Sequence, residues 1–219
     1  MENILAIEAA IGGGSIAILS DDRILGTWNG TEAAGRSEQL LGIINELLEK
    51  TGVERGDLTR LAVSNGPGSY TGIRIGLATA MGLSCALDIP LAGISALRAI
   101  ALSQTEKELL VVVPLGRSGY CWQFFSDADG VPGIIGPAET GSIGDLLERI
   151  LNEPQAAVAA AAESYGSITS DPRILCRPGS VLNAGFDLAV AVGIATGSVD
   201  EGLSPYYARE AYVSRSLST

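Results

Sequence analysis

The chain has 219 residues, 47% of them hydrophobic and 18% charged, which is enough apolar material to bury a core in one large domain or two small lobes. With 25 Asp and Glu against 14 scattered Lys and Arg, the net charge is -11, and aromatics are 5%; this argues against an unaided grip on a phosphate backbone and against a base-stacking platform. The absence of histidine excludes His-ligated zinc or iron, a Ser-His-Asp triad and a Cys-His pair.

The chain opens MENILAIEAA, a strand-like run without a basic n-region, so no signal peptide is expected. Asn3–Ala9 reads as a strand, Ile11–Gly14 as a turn and Ser15–Ser20 as a second strand. Asp21-Asp22-Arg23 then turns into a third strand, Ile24–Asn29. Ser37 is placed to cap an amphipathic helix running to about Lys50, with Leu40, Leu41, Ile44, Leu47 and Leu48 at helical spacing. Arg60–Ser64 is a short strand feeding the loop Asn65–Tyr70, and Thr71 is the expected cap of a long helix to about Leu87. Pro90 stops that helix, Leu91–Ile94 is a strand, and Ser95 caps another helix to about Ser103.

The second half follows the same order. Leu109–Val113 is a β-branched strand, Gly116–Gly119 a hairpin loop, and Tyr120–Ser126 and Val131–Ile135 are strands. Ser142-x-x-Asp145 is a capping-box pattern ahead of the helix Leu146–Leu151. A strand at Ala156–Ala161, a short helix, a strand at Arg173–Cys176 and a helix over Val181–Thr196 complete the reading. No sequence repeat is visible; the repetition is one of pattern. Two βββαβαβα lobes, divided near residue 104 into 1–104 and 105–219, suggest a duplicated ribonuclease-H-like α/β architecture, the plan of actin, sugar kinases and Hsp70-type ATPases. The last helix and tail could return to the first lobe. No run reaches about 18 uninterrupted apolar residues, so no membrane-spanning helix is expected. Cys85, Cys121 and Cys176 lie in separate apolar runs and read as reduced thiols of a cytoplasmic protein.

Three segments could carry function. Ser64–Gly76 lies between a strand and a helix, where backbone amides can hold an anion, but a tight turn with close packing explains its glycines better. It matches neither the G-x-x-x-x-G-K-[ST] nor the G-x-G-x-x-G phosphate signature. The helix after it carries small residues, Gly72, Gly76, Ala80 and Ser84, at i, i+4 spacing, beside Thr79 and Cys85. That stripe fits either packing on its own sheet or a helix–helix subunit contact. Glu8–Ser15 occupies the place of the first phosphate hairpin of actin-like ATPases, yet Glu8 is longer than the Asp such a site needs, and Ala10 and Ile11 offer no hydroxyl. A turn without nucleotide is the better fit.

The stretch VSNGPGSYTGIRIGLATAMGLSCALDIPLAGISALRAI within Leu61–Ile100 resembles the TsaB (YeaZ) family, whose usual form is GPGSFTGLRIG followed by GIPL-GVSSL. Weaker echoes are Ile4–Leu19, Ser37-Glu38-x-Leu40-Leu41, Arg117 on an Asp-Ala-Arg motif, and Pro205-x-Tyr207-x-Arg209. The resemblance implies an actin-like fold and an accessory, non-catalytic role in forming threonylcarbamoyladenosine on tRNA. The implied partners are the catalytic paralogue TsaD and, through the complex, the ATPase TsaE, with tRNA touched only indirectly. The metal-binding His-x-x-x-His of TsaD would fall on Ala96 and Ile100, so neither metal nor cofactor is expected here. The family's Asp after the first strand is Glu8, its His before Ser-Glu is Arg36, the Asp of Asp-Ala-Arg is Leu115, and a Gly-x-Gly turn is Ala159-Ala160-Ala161. These departures put a ligand role of the second lobe in doubt.

The expected partner interface therefore lies on the helices 37–50 and 72–86. It comprises Leu40, Leu41, Ile43, Ile44, Leu47, Gly72, Ile73, Gly76 and Ala80, with a homodimer expected when the chain is alone. The rival reading is an actin-like ATPase or small-molecule kinase; a metallopeptidase is remote without histidine.

Overall fold

The computed structural model describes residues 2–21, 23–30, 39–115, 119–127, 132–175, 179–183, 192–193 and 202–205. Strands β1 (Asn3–Glu8), β2 (Ser15–Ser20) and β3 (Arg23–Asn29) form an antiparallel meander. Helix α1 (Leu40–Thr51) leads through a 3-10 turn, Arg55–Asp57, to β4 (Arg60–Ser64), which lies parallel to β1. Helix α2 (Tyr70–Leu87) then connects to β5 (Leu91–Ile94), parallel to β4. The resulting sheet has the order β3-β2-β1-β4-β5.

Helix α3 (Ala96–Leu102) passes the chain to a second sheet. There β6 (Glu108–Pro114), β7 (Tyr120–Asp127) and β8 (Pro132–Gly141) form another meander. Helix α4 (Ile143–Asn152), strand β9 (Ala157–Ala160), helices α5 (Ala162–Thr169) and α6 (Pro172–Leu175), and strand β10 (Val181–Asn183) complete it. Its order, β10-β9-β6-β7-β8, is that of the first sheet when each strand is matched to its counterpart. The pattern repeat read from the sequence is thus a repeat of topology.

Burial follows strand alternation. Leu5 and Ile7 of β1 face α1 and α2 with Ile16, Ile18, Leu61 and Val63, whereas Ile4 and Ala6 face the opposite side with Ala17, Leu19 and Ala62. Both helices between β3 and β5 therefore cover one face of the first sheet. This arrangement follows from two crossovers that move in the same direction and share one hand. The chain's later segments return to this lobe: Val192 joins the core beside Ile4 and Ala6, and Gly202 accepts a hydrogen bond at its carbonyl from Asn65 Nδ2.

Four sequence expectations need correction. Helix α2 is capped by Ser69, whose Oγ accepts from Gly72 N at 3.4 Å, so Thr71 lies inside the first turn. Strand β8 runs on to Gly141, beyond the expected Ile135, because β7 offers a paired edge along its whole length. Of the strand expected at Arg173–Cys176, residues Arg173–Leu175 are helical: Pro172 opens α6, and Asp171 Oδ1 accepts from Arg173 N at 2.9 Å, an acidic cap followed by proline at the first helical position. The strand falls instead at Val181–Asn183, where a helix was expected, because it pairs with β9 from Val158 to Ala160. The Ser37 cap, Glu38, Arg36, Arg117, Cys176, Tyr207, Arg209 and most of the 184–196 stretch lie outside the described residues.

Candidate partner face and the hairpin beneath it

The β1–β2 hairpin and the loop after β4 interlock. Glycines 12, 13 and 14 turn the hairpin with φ of 56°, 98° and 83°, a conformation that side chains disfavour. Ser69 N donates to Ala10 O at 2.9 Å, fastening the start of α2 to the hairpin. The glycines of the second loop allow this approach: a Cβ on Gly72 would stand 2.1 Å from Ala9 O, and one on Gly68 would stand 2.7 Å from the Ala10 Cβ. Among the readings of Ser64–Gly76, this geometry supports tight packing. Glu8, at 1% exposure, turns its carboxylate into the same hairpin, where Oε1 accepts from Ala10 N at 2.6 Å and from Ile11 N at 3.1 Å.

The expected interface residues divide sharply. Leu40, Ile44, Leu47, Ile73, Gly76 and Ala80 are buried within their own lobe. A Cβ on Gly76 would stand 3.2 Å from the Ala9 Cβ, and Gly72 also abuts the hairpin, so the small-residue stripe faces the first sheet and cannot meet a partner helix. The physical reason is the close packing of α2 on β1 and β4, which needs small side chains at the contact. Of the nine, Leu41 is 53% exposed and Ile43 is half-buried.

The outer side of α2 is formed by residues that sequence reasoning missed. Tyr70 (43% exposed), Arg74, Ala78, Met81 (51% exposed), Gly82 and Cys85 lie there, with Arg74 stacked on the Tyr70 ring at 3.9 Å. The available signal was an apolar character that continues around α2, since Ala78 and Met81 directly follow the inward positions Leu77 and Ala80 in the sequence. On α1 the outer side carries Leu41, Gly42, Glu46, Glu49 and Lys50. An added Cβ at Gly42 or Gly82 would meet nothing within 4 Å, so both helices have open ground on the side away from the sheet.

Positions where the resemblance lays metal-binding histidines hold Ala96 and Ile100, 0% and 1% exposed in the core contributed by α3. Among the described residues no group of three or more His, Cys, Asp or Glu side chains comes together as a metal cluster. Nor, among those residues, is any helix long and apolar enough to cross a membrane.

Comparison with known proteins now bears on this arrangement. Residues 32–126 match the family model described as "TsaD: tRNA N6-adenosine threonylcarbamoyltransferase". The tRNA threonylcarbamoyladenosine biosynthesis protein TsaB of Bacillus subtilis is 34% identical over 98 residues, 45% of this chain and 43% of that protein. Its Escherichia coli namesake is 36% identical over 101 residues, 45% of this chain and 42% of that protein. The chain is similar to members of the TsaB (YeaZ) family. The matched region spans less than half the length of these curated relatives. At the level of fold, YeaZ from Pseudomonas aeruginosa superposes with a TM-score of 0.68 over 94% of this chain and 100% of that one, at 22% identity. The two-lobed architecture is the actin-like fold expected from the element order.

Proposed function

We propose that this TsaB-like chain is a scaffolding subunit in the formation of threonylcarbamoyladenosine on tRNA, and that it acts by binding a TsaD-like catalytic paralogue. The observation that carries the reading is the pair of large apolar side chains, Leu41 and Met81, exposed on two helices that cover one face of the first sheet. Each large aliphatic side chain covered on association contributes roughly 1.5–3 kcal/mol, and a few of them offset the cost of immobilising a partner. The contact uses the outer sides of α1 and α2: Leu41 and Ile43 remain from the interface read in the sequence, and Tyr70, Ala78 and Met81 join them.

In this reading the chain supplies no reacting group and no metal. A TsaE-like ATPase joins through the complex, tRNA is met only indirectly, and the same helix faces pair two copies when the paralogue is absent. The names of the TsaB relatives and the family model that matches residues 32–126 support the pathway. The test is co-purification with the TsaD-like paralogue of the same organism, comparing wild type with a Leu41→Glu/Met81→Glu variant. Wild type should bring the paralogue down, and the variant should lose it while melting normally. Retention of the paralogue by the double variant at wild-type yield would remove the assigned face; failure of wild type to bring it down would remove the scaffold reading.

A further inference from the structure

Strand β8 ends the second sheet. In the order β10-β9-β6-β7-β8 its sheet neighbour among the described residues is β7, and residues 133–137 are all exposed. Ile134 (50%) and Ile135 (55%) are large apolar side chains left uncovered there, one on each face of the strand. An uncharged stretch at a free sheet edge is a template for another strand. Pro137 lacks an N–H and Gly136 is left-handed (φ 72°), so such pairing is confined to the residues before them. On the side facing α4 the edge opens into a groove of about 370 Å³. Phe124 and Ile135 line it, with Arg149 stacked on the Phe124 ring at 4.3 Å. Arg149 pairs with Glu139 at 3.4 Å and Glu153 at 3.2 Å, whereas Glu108, exposed at the far end of the groove, has no ion-pair partner among the described residues.

We propose that the free edge of β8 takes an extended segment of a partner protein as an added strand, and that this segment carries a basic residue and a large aliphatic one two positions apart. Register sets that spacing. Glu108, Ser126 and Gly133 lie on one line across β6, β7 and β8, and Leu110, Phe124 and Ile135 lie on the next line, with side chains on the same face. A residue opposite Ile135 covers it and borders Phe124. A residue opposite Gly133 meets no side chain on β8 and looks along the sheet toward Glu108, with only the small Ser126 between. Strands are about 4.8 Å apart, so roughly 14 Å separates an added strand from β6, a gap that a lysine or arginine and Glu108 close from both sides. Charge decides the occupant. A second copy of this chain brings a net charge of -11 to the same edge, and its own β8, PGIIGPAETG, has no basic residue to offer Glu108. This surface is on the second sheet and the paralogue face proposed above is on the first, so the two readings fail separately.

Fluorescence polarisation with the full chain tests it. The probe is a labelled Thr-Arg-Thr-Ile-Thr peptide. Control peptides replace Arg by Glu, replace Ile by Gly, or set Arg and Ile side by side so that they project on opposite faces. The probe should bind saturably and weaken with added salt, and each control should bind at least about fivefold more weakly. Glu108→Lys and Ile135→Ser should each weaken the probe about fivefold. Glu148→Lys, the same charge change at an exposed position of α4 outside the groove, should stay within about twofold of wild type. All three positions are exposed, so the variants should melt within roughly 2 °C of wild type. In the wild type the amide resonances of Gly133, Ile134 and Ile135 should move on titration, a readout that needs no variant. Absence of those shifts, equal binding of the side-by-side peptide, or equal weakening by Glu148→Lys would overturn the proposal. Spermine displacing the probe as well as unlabelled peptide does would assign the groove to small polyamines and also overturn it.

Discussion

Cys121 shows how a single environment sets a residue's chemistry. It sits opposite Val113 in the second sheet at 0% exposure, and burial pushes its thiol up to about 12. Attack on a thiol reagent needs the thiolate, so Cys121 should stay unmodified at pH 8 in the native protein, while the exposed Cys85 on α2 reacts. Peptide mapping after brief alkylation checks this; Cys121 should label only after denaturation. The linkage has a definite sign. Between the unfolded value of 9.0 and about 12 the unfolded chain has lost this proton and the native chain keeps it, so stability should fall as pH rises through that window. Cys121→Ala should flatten that part of the stability–pH curve measured by denaturant titration, and an unchanged slope would show that the thiol is not its source. Ala96 and Ile100 make the complementary point: two positions where the resemblance would lay metal ligands carry side chains that close the core.

At the scale of elements, α2 decides between the two meanings of a small-residue stripe. Gly76 is buried with its missing Cβ 3.2 Å from Ala9, so Gly76→Gln forces a long polar side chain into the contact with β1. Overpacking of this kind costs about 1–3 kcal/mol, and the melting temperature should fall by several degrees. Leu41→Glu and Met81→Glu change exposed positions, where substitutions stay within about 0.5 kcal/mol, so their melting temperatures should remain within roughly 2 °C of wild type. A thermal melt of the three variants separates core from surface, and a normal melt for Gly76→Gln would contradict the inward placement. The capping box at α4 is a second element-scale case. Ser142 Oγ accepts from Asp145 N at 3.3 Å and Asp145 Oδ2 accepts from Ser142 N at 2.8 Å. Ser142 Oγ also donates to Asp145 Oδ2 at 2.7 Å, and this bond, with that from Ser142 N, holds the Asp145 carboxyl below its ordinary 3.8. The stabilisation is therefore present above that value and is lost as pH falls through the lowered one. Ser142→Ala should cost about 1 kcal/mol at neutral pH by chemical denaturation.

For the whole molecule, charge sets the limits. A net charge of -11 spread over a 219-residue chain repels a polyanion, and no cluster of basic residues in the sequence offsets it. The free chain should show no tRNA mobility shift at physiological salt below micromolar concentrations, and addition of the TsaD-like paralogue should create one. A submicromolar shift by the chain alone would contradict the indirect role proposed for it. The two lobes are joined not only by α3: residues near both 192 and 202 rest on the first sheet, so the chain's distal part contributes to the lobe where its beginning lies. Gly93 lacks a Cβ where one would stand 2.1 Å from Gly202 O, which makes Gly93 a requirement of that return path.

The sequence by itself determined the order of elements as far as α5, the absence of histidine chemistry and the likeness to the TsaB (YeaZ) family. The short apolar runs of β1 and β2, the caps Ser95 and Ser142 and the GPGS loop are local signals, and local signals survive without knowledge of the fold. Helical periodicity shows that an apolar face exists but not which neighbour covers it. Only the packing of α1 and α2 on one sheet face decided that Leu40, Ile44 and Gly76 are core and that Leu41 and Met81 are surface. Val181–Asn183 became a strand because β9 offered it an edge, a long-range pairing that three residues cannot announce. Glu8 was visible in the sequence as a departure from the family's Asp. Among its partners are amides two and three residues ahead, and the turn that brings them to its carboxylate is fastened to the loop after β4.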